Sequence, residues 1–132
     1  MKTPGTLTAA DVLRRYAEED LPAFCGIALH DVNQVGNFGE RPLDVATVRG
    51  NLDEIAALID AGADVNAPGE LGNCPLHEAV GQGHIQAIKF LLDHGASLNA
   101  RNECGYSPLD VARLSKRADI VELLQSPIPK KR

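Results

Sequence analysis

The chain has 132 residues, no Trp and only 4% aromatics against 44% hydrophobics, so its core has to be built from Leu, Ile, Val and Ala. No apolar run approaches the ~20 residues of a membrane-spanning helix, and residues 1–16 lack the apolar stretch of a secretory signal. The net charge of −5 divides into −9 over residues 1–112 and +4 over residues 113–132, and an acidic body argues against nucleic acid as the main ligand.

The first predicted element is a helix opened by Thr8-Ala9-Ala10-Asp11 and running to about Asp20, with Val12, Leu13 and Tyr16 as its apolar side. Pro22 interrupts it. Asp31-Val32-Asn33 lies 33 residues before Asp64-Val65-Asn66, so residues 1–34 read as a degenerate leading repeat that caps the first full unit.

From there the chain repeats itself. Arg41-Pro42-Leu43-Asp44-Val45-Ala46 returns as Cys74-Pro75-Leu76-His77-Glu78-Ala79 and as Ser107-Pro108-Leu109-Asp110-Val111-Ala112, each time after 33 residues. Gly62-Ala63-Asp64-Val65-Asn66-Ala67 and Gly95-Ala96-Ser97-Leu98-Asn99-Ala100 keep the same step. Within a unit, Pro42, Pro75 and Pro108 suit the first position of a helix, where the missing N–H costs nothing. Ser107 is a good N-cap with Asp110 three residues on, whereas Arg41 and Cys74 are poor caps.

The first helix ends near Gly50 or Gly83. A second comes at once, with Asn51 as its cap and Glu54 three residues later as in a capping box. Its apolar residues fall at helical spacing: Leu52, Ile55, Leu58 and Ile59, then Ile85, Ile88, Leu91 and Leu92. Gly62 and Gly95 stop it, and polar, glycine-rich segments running to the next Pro-Leu read as extended arms meeting in a turn.

These residues resemble the ankyrin repeat, whose pattern runs Gly, one residue, Thr-Pro-Leu-His, Ala, then Gly-His, Leu-Leu and Gly-Ala-Asp-x-Asn-Ala. Residues 68–100 carry it best, through Gly72, Pro75-Leu76-His77, Ala79, Gly83-His84, Leu91-Leu92, Gly95-Ala96 and Asn99-Ala100. The resemblance implies an all-α ankyrin repeat solenoid of helix-turn-helix units with projecting β-hairpin loops. The units are 35–67, 68–100 and a truncated C-terminal cap at 101–126, with a basic tail at 127–132. The predicted core is Leu43, Ala46, Ile55, Leu58, Leu76, Ala79, Ile88, Leu91, Leu109, Ala112, Val121 and Leu124.

Two departures stand out in the last unit. Lys116 takes the glycine position, so the turn there is expected to be rebuilt, and Pro127 ends the second helix. Arg113, Lys116, Arg117, Glu122 and Gln125 are expected to form a polar outer face.

Candidate chemistry is sparse. Asp44, His77 and Asp110 share one repeat position; adjacent helices stand about 8–10 Å apart, too far for a triad, and the resemblance implies that such a residue bonds neighbouring backbone. Cys74, at a helix N-terminus with His77 three residues on, is the one candidate nucleophile, and a thiol-dependent enzyme or redox protein centred on it is an alternative reading. No His or Cys spacing suits zinc, neither glycine cluster (36–39 and 69–72) is a phosphate-binding loop, and no metal, cofactor or small-molecule substrate is expected. Three cysteines without a CxxC favour a reduced, cytoplasmic setting.

The loop tips are the stronger candidate. Phe38, Leu71 and Cys104 are in register, with Glu40, Asn73 and Tyr106 beside them. In ankyrin-like arrays tips and first helices line one concave face that meets protein partners, which points to Asn37, Phe38, Glu40, Arg49, Glu70, Leu71, Asn73, Gln82, Glu103, Tyr106 and Ser115. The expectation is a non-catalytic protein-binding module, an adaptor or an inhibitor or antidote of a basic partner. It is expected as a monomer or weak homodimer; a self-associating structural protein is the third reading.

Overall fold

The computed structural model describes residues 7–125. The basic tail and the helix-ending Pro127 lie outside the described residues. Seven helices succeed one another: α1 Ala9–Glu18, α2 Pro42–Arg49, α3 Leu52–Asp60, α4 Pro75–Gln82, α5 Ile85–Asp93, α6 Pro108–Leu114 and α7 Ala118–Gln125. Each repeat contributes a pair. The first helices α2, α4 and α6 pack in one row, α1, α3 and α5 pack in a second, and α7 lies against α6. The leading segment supplies α1 and a short 3-10 turn at Pro22–Phe24, where Phe24 stacks on Tyr16 with ring centroids 6.3 Å apart.

Local chemistry explains the helix ends. The three repeat prolines occupy the first turn of α2, α4 and α6. Three residues beyond each cap, a side chain folds back to accept the cap's own N–H: Asp44 from Arg41 at 2.8 Å, His77 from Cys74 at 3.0 Å and Asp110 from Ser107 at 3.0 Å. This back-bond compensates for Arg41 and Cys74, which are weak caps. Asn51 does accept the Glu54 N–H at 3.1 Å. Glu54 does not complete that box: it turns inward, accepts the Tyr16 hydroxyl at 2.6 Å and an Arg15 N–H at 2.9 Å, and is 1% exposed. Ala87 and Ile120 hold the equivalent places in later repeats, and both are buried. A polar lock thus joins the first repeat to α1 where later layers use apolar contact.

The expected core is buried except for Leu109 and Val121, which are only partly covered. Both belong to the last layer, and no further repeat is described above them. Arg117 also departs from expectation. It is not on the outer face but lies over the Gly83 turn, as His84 lies over the Gly50 turn one repeat earlier. His84 Nε2 bonds the Val48 carbonyl at 2.9 Å, satisfying the end of α2.

The projecting β-hairpins are not formed; no strand occurs among the described residues. Each loop is a turn spanned by a backbone hydrogen bond, Gly36 N–H to Glu40 O at 2.6 Å, Gly69 to Asn73 at 2.8 Å and Asn102 to Tyr106 at 2.9 Å, with an inner bond from Gly39 to Gly36, Gly72 to Gly69 and Gly105 to Asn102. A two-stranded hairpin is marginal alone, and these loops are held to one another instead. The Asn33 amide donates to Gly62 O and accepts from Asp64 N–H, and Asn66 repeats both bonds to Gly95 O and Ser97 N–H.

Lys116 is a further correction. The turn is not rebuilt: Lys116 adopts φ +57° where Gly50 has +71° and Gly83 +76°, and the closing bond from Arg117 N–H to Ala112 O matches those from Asn51 to Ala46 and His84 to Ala79. A lysine in left-handed geometry costs about 1–2 kcal/mol. Lys116→Gly is therefore expected to raise stability by roughly 1 kcal/mol, less the entropy glycine adds to the unfolded chain, visible as a higher urea midpoint with unchanged slope.

Candidate functional site

Glu40 and Glu70 of the first two loop tips line a common groove with Val45, Val48 and Arg49 of α2 and Glu78 of α4. Phe38 and Leu71 do not fold back onto the neighbouring unit: they are 57% and 62% exposed, and Tyr106 is 42% exposed. Leu71 holds φ +58°, a left-handed conformation that a leucine adopts at a cost of about 1–3 kcal/mol, and its carbonyl accepts the Glu103 N–H at 3.0 Å, which fixes it there. The glycine after each tip residue (Gly39, Gly72 and Gly105) is also left-handed, but of the tip residues themselves only Leu71 is, so the second tip departs from the backbone path of the other two.

The remaining predicted site residues divide by what holds them. Asn37 donates its amide to the Pro22 and Cys25 carbonyls, both at 3.0 Å, and so ties the first tip to the leading segment. Glu40 accepts the Phe38 N–H at 2.9 Å. Asn73 accepts the Asn102 amide at 2.9 Å, linking two tips. Arg49 pairs with Glu19 at 2.7 Å and lies 5.1 Å from the Tyr16 ring centre; the bond to Glu19 raises its pKa and turns its charge toward α1. Glu70, Gln82, Glu103 and Ser115 are exposed.

Three of the expected residues, Glu40, Arg49 and Glu70, also line a groove of about 290 Å³ between α2, α4 and the leading segment. Leu21, Val45 and Val48 give it apolar walls, and Glu40, Asp44, Glu70 and Glu78 give it four carboxyls. Counting in steps of 33 finds part of it. Val45, Glu78 and Val111 share one position, and Val48, Gly81 and Leu114 another, on the helix side away from the buried Leu43 and Ala46. Val48 is 39% exposed and Leu114 62%.

The row of Asp44, His77 and Asp110 shows how one position acquires three environments. His77 accepts at Nδ1 from its cap, and its Nε2 lies 2.8 Å from the Tyr106 carbonyl, so the ring is neutral with the proton on Nε2. Burial holds its pKa down. Asp110 is partly exposed, 3.6 Å from Arg101, and its bond to the Ser107 backbone keeps its pKa low. Asp44 is 4% exposed, and its Oδ1 has no hydrogen-bond partner among the described residues. Burial first, then Glu78 and Glu40, push it up to about 7 against the pull of the Arg41 N–H. Burial, Glu70 and Glu40 raise Glu78 as well.

Cys74 lies in an environment opposite to that of an activated thiol. It is 5% exposed, donates to the Asn66 carbonyl at 3.4 Å, and burial with the charges of Asp44 and Asp64 raises its pKa. Both ring nitrogens of His77 are bonded to backbone atoms rather than to the sulfur. Among the described residues no group of three or more His, Cys, Asp or Glu side chains is arranged to hold a metal ion, and no helix is long and apolar enough to cross a membrane.

A family model described as Ankyrin repeats (3 copies) matches residues 45–131. No curated protein matches the chain.

Asp44 sets a pH dependence. Its folded-state pKa is raised, so the stability it contributes is full below the ordinary aspartate value of about 3.9 and is lost as pH rises through about 7. Asp44→Asn keeps an acceptor for the Arg41 N–H and removes the charge. Denaturation across about pH 5 to pH 8 is expected to show the variant gaining on the parent by on the order of a few kcal/mol as pH rises. The opposite drift from His77, whose neutral ring loses stability as pH falls below its ordinary value, is common to both proteins and cancels.

Proposed function

The chain belongs to the ankyrin repeat family, and from that premise we propose that it is a non-catalytic module that binds a basic protein through the loop tips and the adjoining face of α2, α4 and α6. Ankyrin repeats are generally protein–protein interaction modules. The observation that carries the assignment of the face is the exposure of Phe38, Leu71 and Tyr106, from two adjoining rows of the tips, beside Glu40, Glu70 and Glu103 in the chain. Apolar and aromatic anchors rimmed by charge are what stable interfaces use. The site residues of the proposal are Phe38, Glu40, Glu70, Leu71, Asn73, Glu103 and Tyr106 on the tips, with Arg49, Gln82 and Ser115 flanking them and Asn37 holding the first tip in place.

Rigidity favours binding here. Each tip is closed by its own turn; Asn37 ties the first to the leading segment, and the Asn102–Asn73 and Glu103–Leu71 bonds tie the third to the second, so little ordering entropy is lost on association. The −9 charge over residues 1–112 attracts a basic partner and raises its association rate. A compact acidic chain that covers a partner's surface suits an adaptor or an inhibitor. The three cysteines are free, with Cys25 and Cys104 exposed, which supports a reducing, cytoplasmic setting. The end layer carries Arg113, Lys116, Glu122 and Gln125 around Val121, a charged rim that supports a monomer over an extended stack.

Capture of partners from the source lysate by the full chain tests the reading. Phe38→Ala with Tyr106→Ala is expected to weaken retention of the main captured protein by at least about tenfold while leaving the unfolding midpoint in place. Undiminished capture by the folded double variant would remove the tips from the interface.

A further inference from the structure

The groove behind the tips is built for a particular kind of group. It brings together carboxyls from four separate places: Glu40 before α2, Asp44 in its first turn, Glu70 in the next loop and Glu78 on α4. The nearby cations are already engaged. Arg41 donates to the Asn33 and Pro68 carbonyls, and Arg49 pairs with Glu19. The charge of Arg41 still draws the Asp44 pKa down, but burial with Glu78 and Glu40 outweighs it, and among the described residues no ion pair joins Arg41 or Arg49 to Glu40, Asp44, Glu70 or Glu78. At the floor lies Asp44, more than nine-tenths buried, with one carboxylate oxygen lacking any donor among the described residues. In the ionised form that oxygen is a buried acceptor left without a donor, an unfavourable arrangement that is relieved when a donor arrives from outside. The apolar lining comes from Val45 and Val48 of α2 and Leu21 of the leading segment.

We propose that this groove receives an arginine side chain of the partner protein, its stem lying along Val45 and Val48 and its guanidinium among Glu40, Glu70 and Glu78 above Asp44. The inference rests on the protein-binding reading and names the chemistry by which the partner is recognised. A planar fork of five donors can engage carboxylates that approach from different elements at once, which an ammonium does less well. The aliphatic part of the same side chain covers apolar surface while its charged end stays paired.

The groups that face Asp44 are Arg41 and Glu40 from its own segment, Glu70 from the following loop, and Glu78 and the Cys74 thiol from the next repeat; Arg49 lies along the same wall. In the isolated chain burial and the neighbouring acids keep Asp44 protonated up to about 7. A bound guanidinium reverses that balance and favours the ionised form. Binding below that pH therefore releases a proton and tightens as pH rises toward it.

The test uses the full chain, backbone-amide NMR spectra, and N-acetyl-arginine amide as the probe, with N-acetyl-citrulline amide as its neutral isostere. Saturable shifts centred on Val45, Val48 and Glu78 are expected with the arginine compound and none with citrulline. Glu78→Gln and, independently, Glu70→Gln should each weaken binding about tenfold, the size of one charge-assisted hydrogen bond. Affinity for the parent should rise from about pH 5 to about pH 7 and level off above it, and Asp44→Asn should flatten that rise. Shifts that never saturate, or that spread over acidic residues away from the groove such as Asp53 and Asp93, would overturn the proposal. So would equal binding of N-acetyl-lysine amide, or Glu70→Gln and Glu78→Gln variants that bind as the parent does. If the groove fails these measurements while tip substitutions still abolish capture, the arginine slot is wrong and the protein-binding reading stands.

Discussion

The structure depends on a side chain three residues into each first helix that folds back onto the backbone N–H of its own cap. The bond lets helices begin at Arg41 and Cys74, residues that cap poorly. It recurs every 33 residues, so the helices start at equivalent heights and their apolar faces meet layer on layer: Leu43, Leu76 and Leu109, then Ile55, Ile88 and Val121. Burial supplies most of the stabilisation, but the back-bond decides where each helix begins and hence which residues are buried.

The same constraint creates the site. A polar group must lie at the base of every first helix, and each repeat satisfies it differently. In the middle repeat the neutral His77 uses both ring nitrogens, one inside its own unit and one on the Tyr106 carbonyl of the next. In the last repeat Asp110 is partly exposed near Arg101, and its bond to the Ser107 backbone favours the charged form. In the first, Asp44 is buried among other acids and is left with one unpaired oxygen. The position that holds the helix start therefore also stores an electrostatic imbalance at the floor of a groove that Glu40 and Glu70 of the first two tips help to line. The structural requirement and the binding reading meet in one carboxyl group.

Much of the architecture is legible in the sequence because its signals are local and repeated. Proline at the first helical position, glycine at the helix stop and apolar spacing along α3 and α5 each state a backbone preference that packing then confirms. What is not legible depends on the neighbour in space. Nothing local to Glu54 says that it will turn from its cap toward Tyr16, and nothing local to Arg117 says that it will cover the Gly83 turn rather than face outward. Lys116 keeps a left-handed turn because the surrounding bonds are strong enough to hold an unfavourable residue in place. The loops are too short of paired backbone to make strands, and the asparagine bridges that replace them join residues about thirty apart. For the site, the tips are readable from register. The acidic groove is not, since its four carboxyls come from different elements and only the stacked layers bring them together.

Without any ligand, the fold itself holds Asp44 in a state that disfavours its charge, and both the pH dependence and the arginine slot rest on that state. The direct measurement is the carbon chemical shift of the Asp44 carboxyl followed by NMR across pH in the isolated chain. A midpoint near 7 is expected. A midpoint at the ordinary aspartate value of about 3.9, in a chain that is demonstrably folded, would contradict it, because the carboxyl would then be hydrated or paired in solution and the groove would carry no imbalance for a partner to relieve.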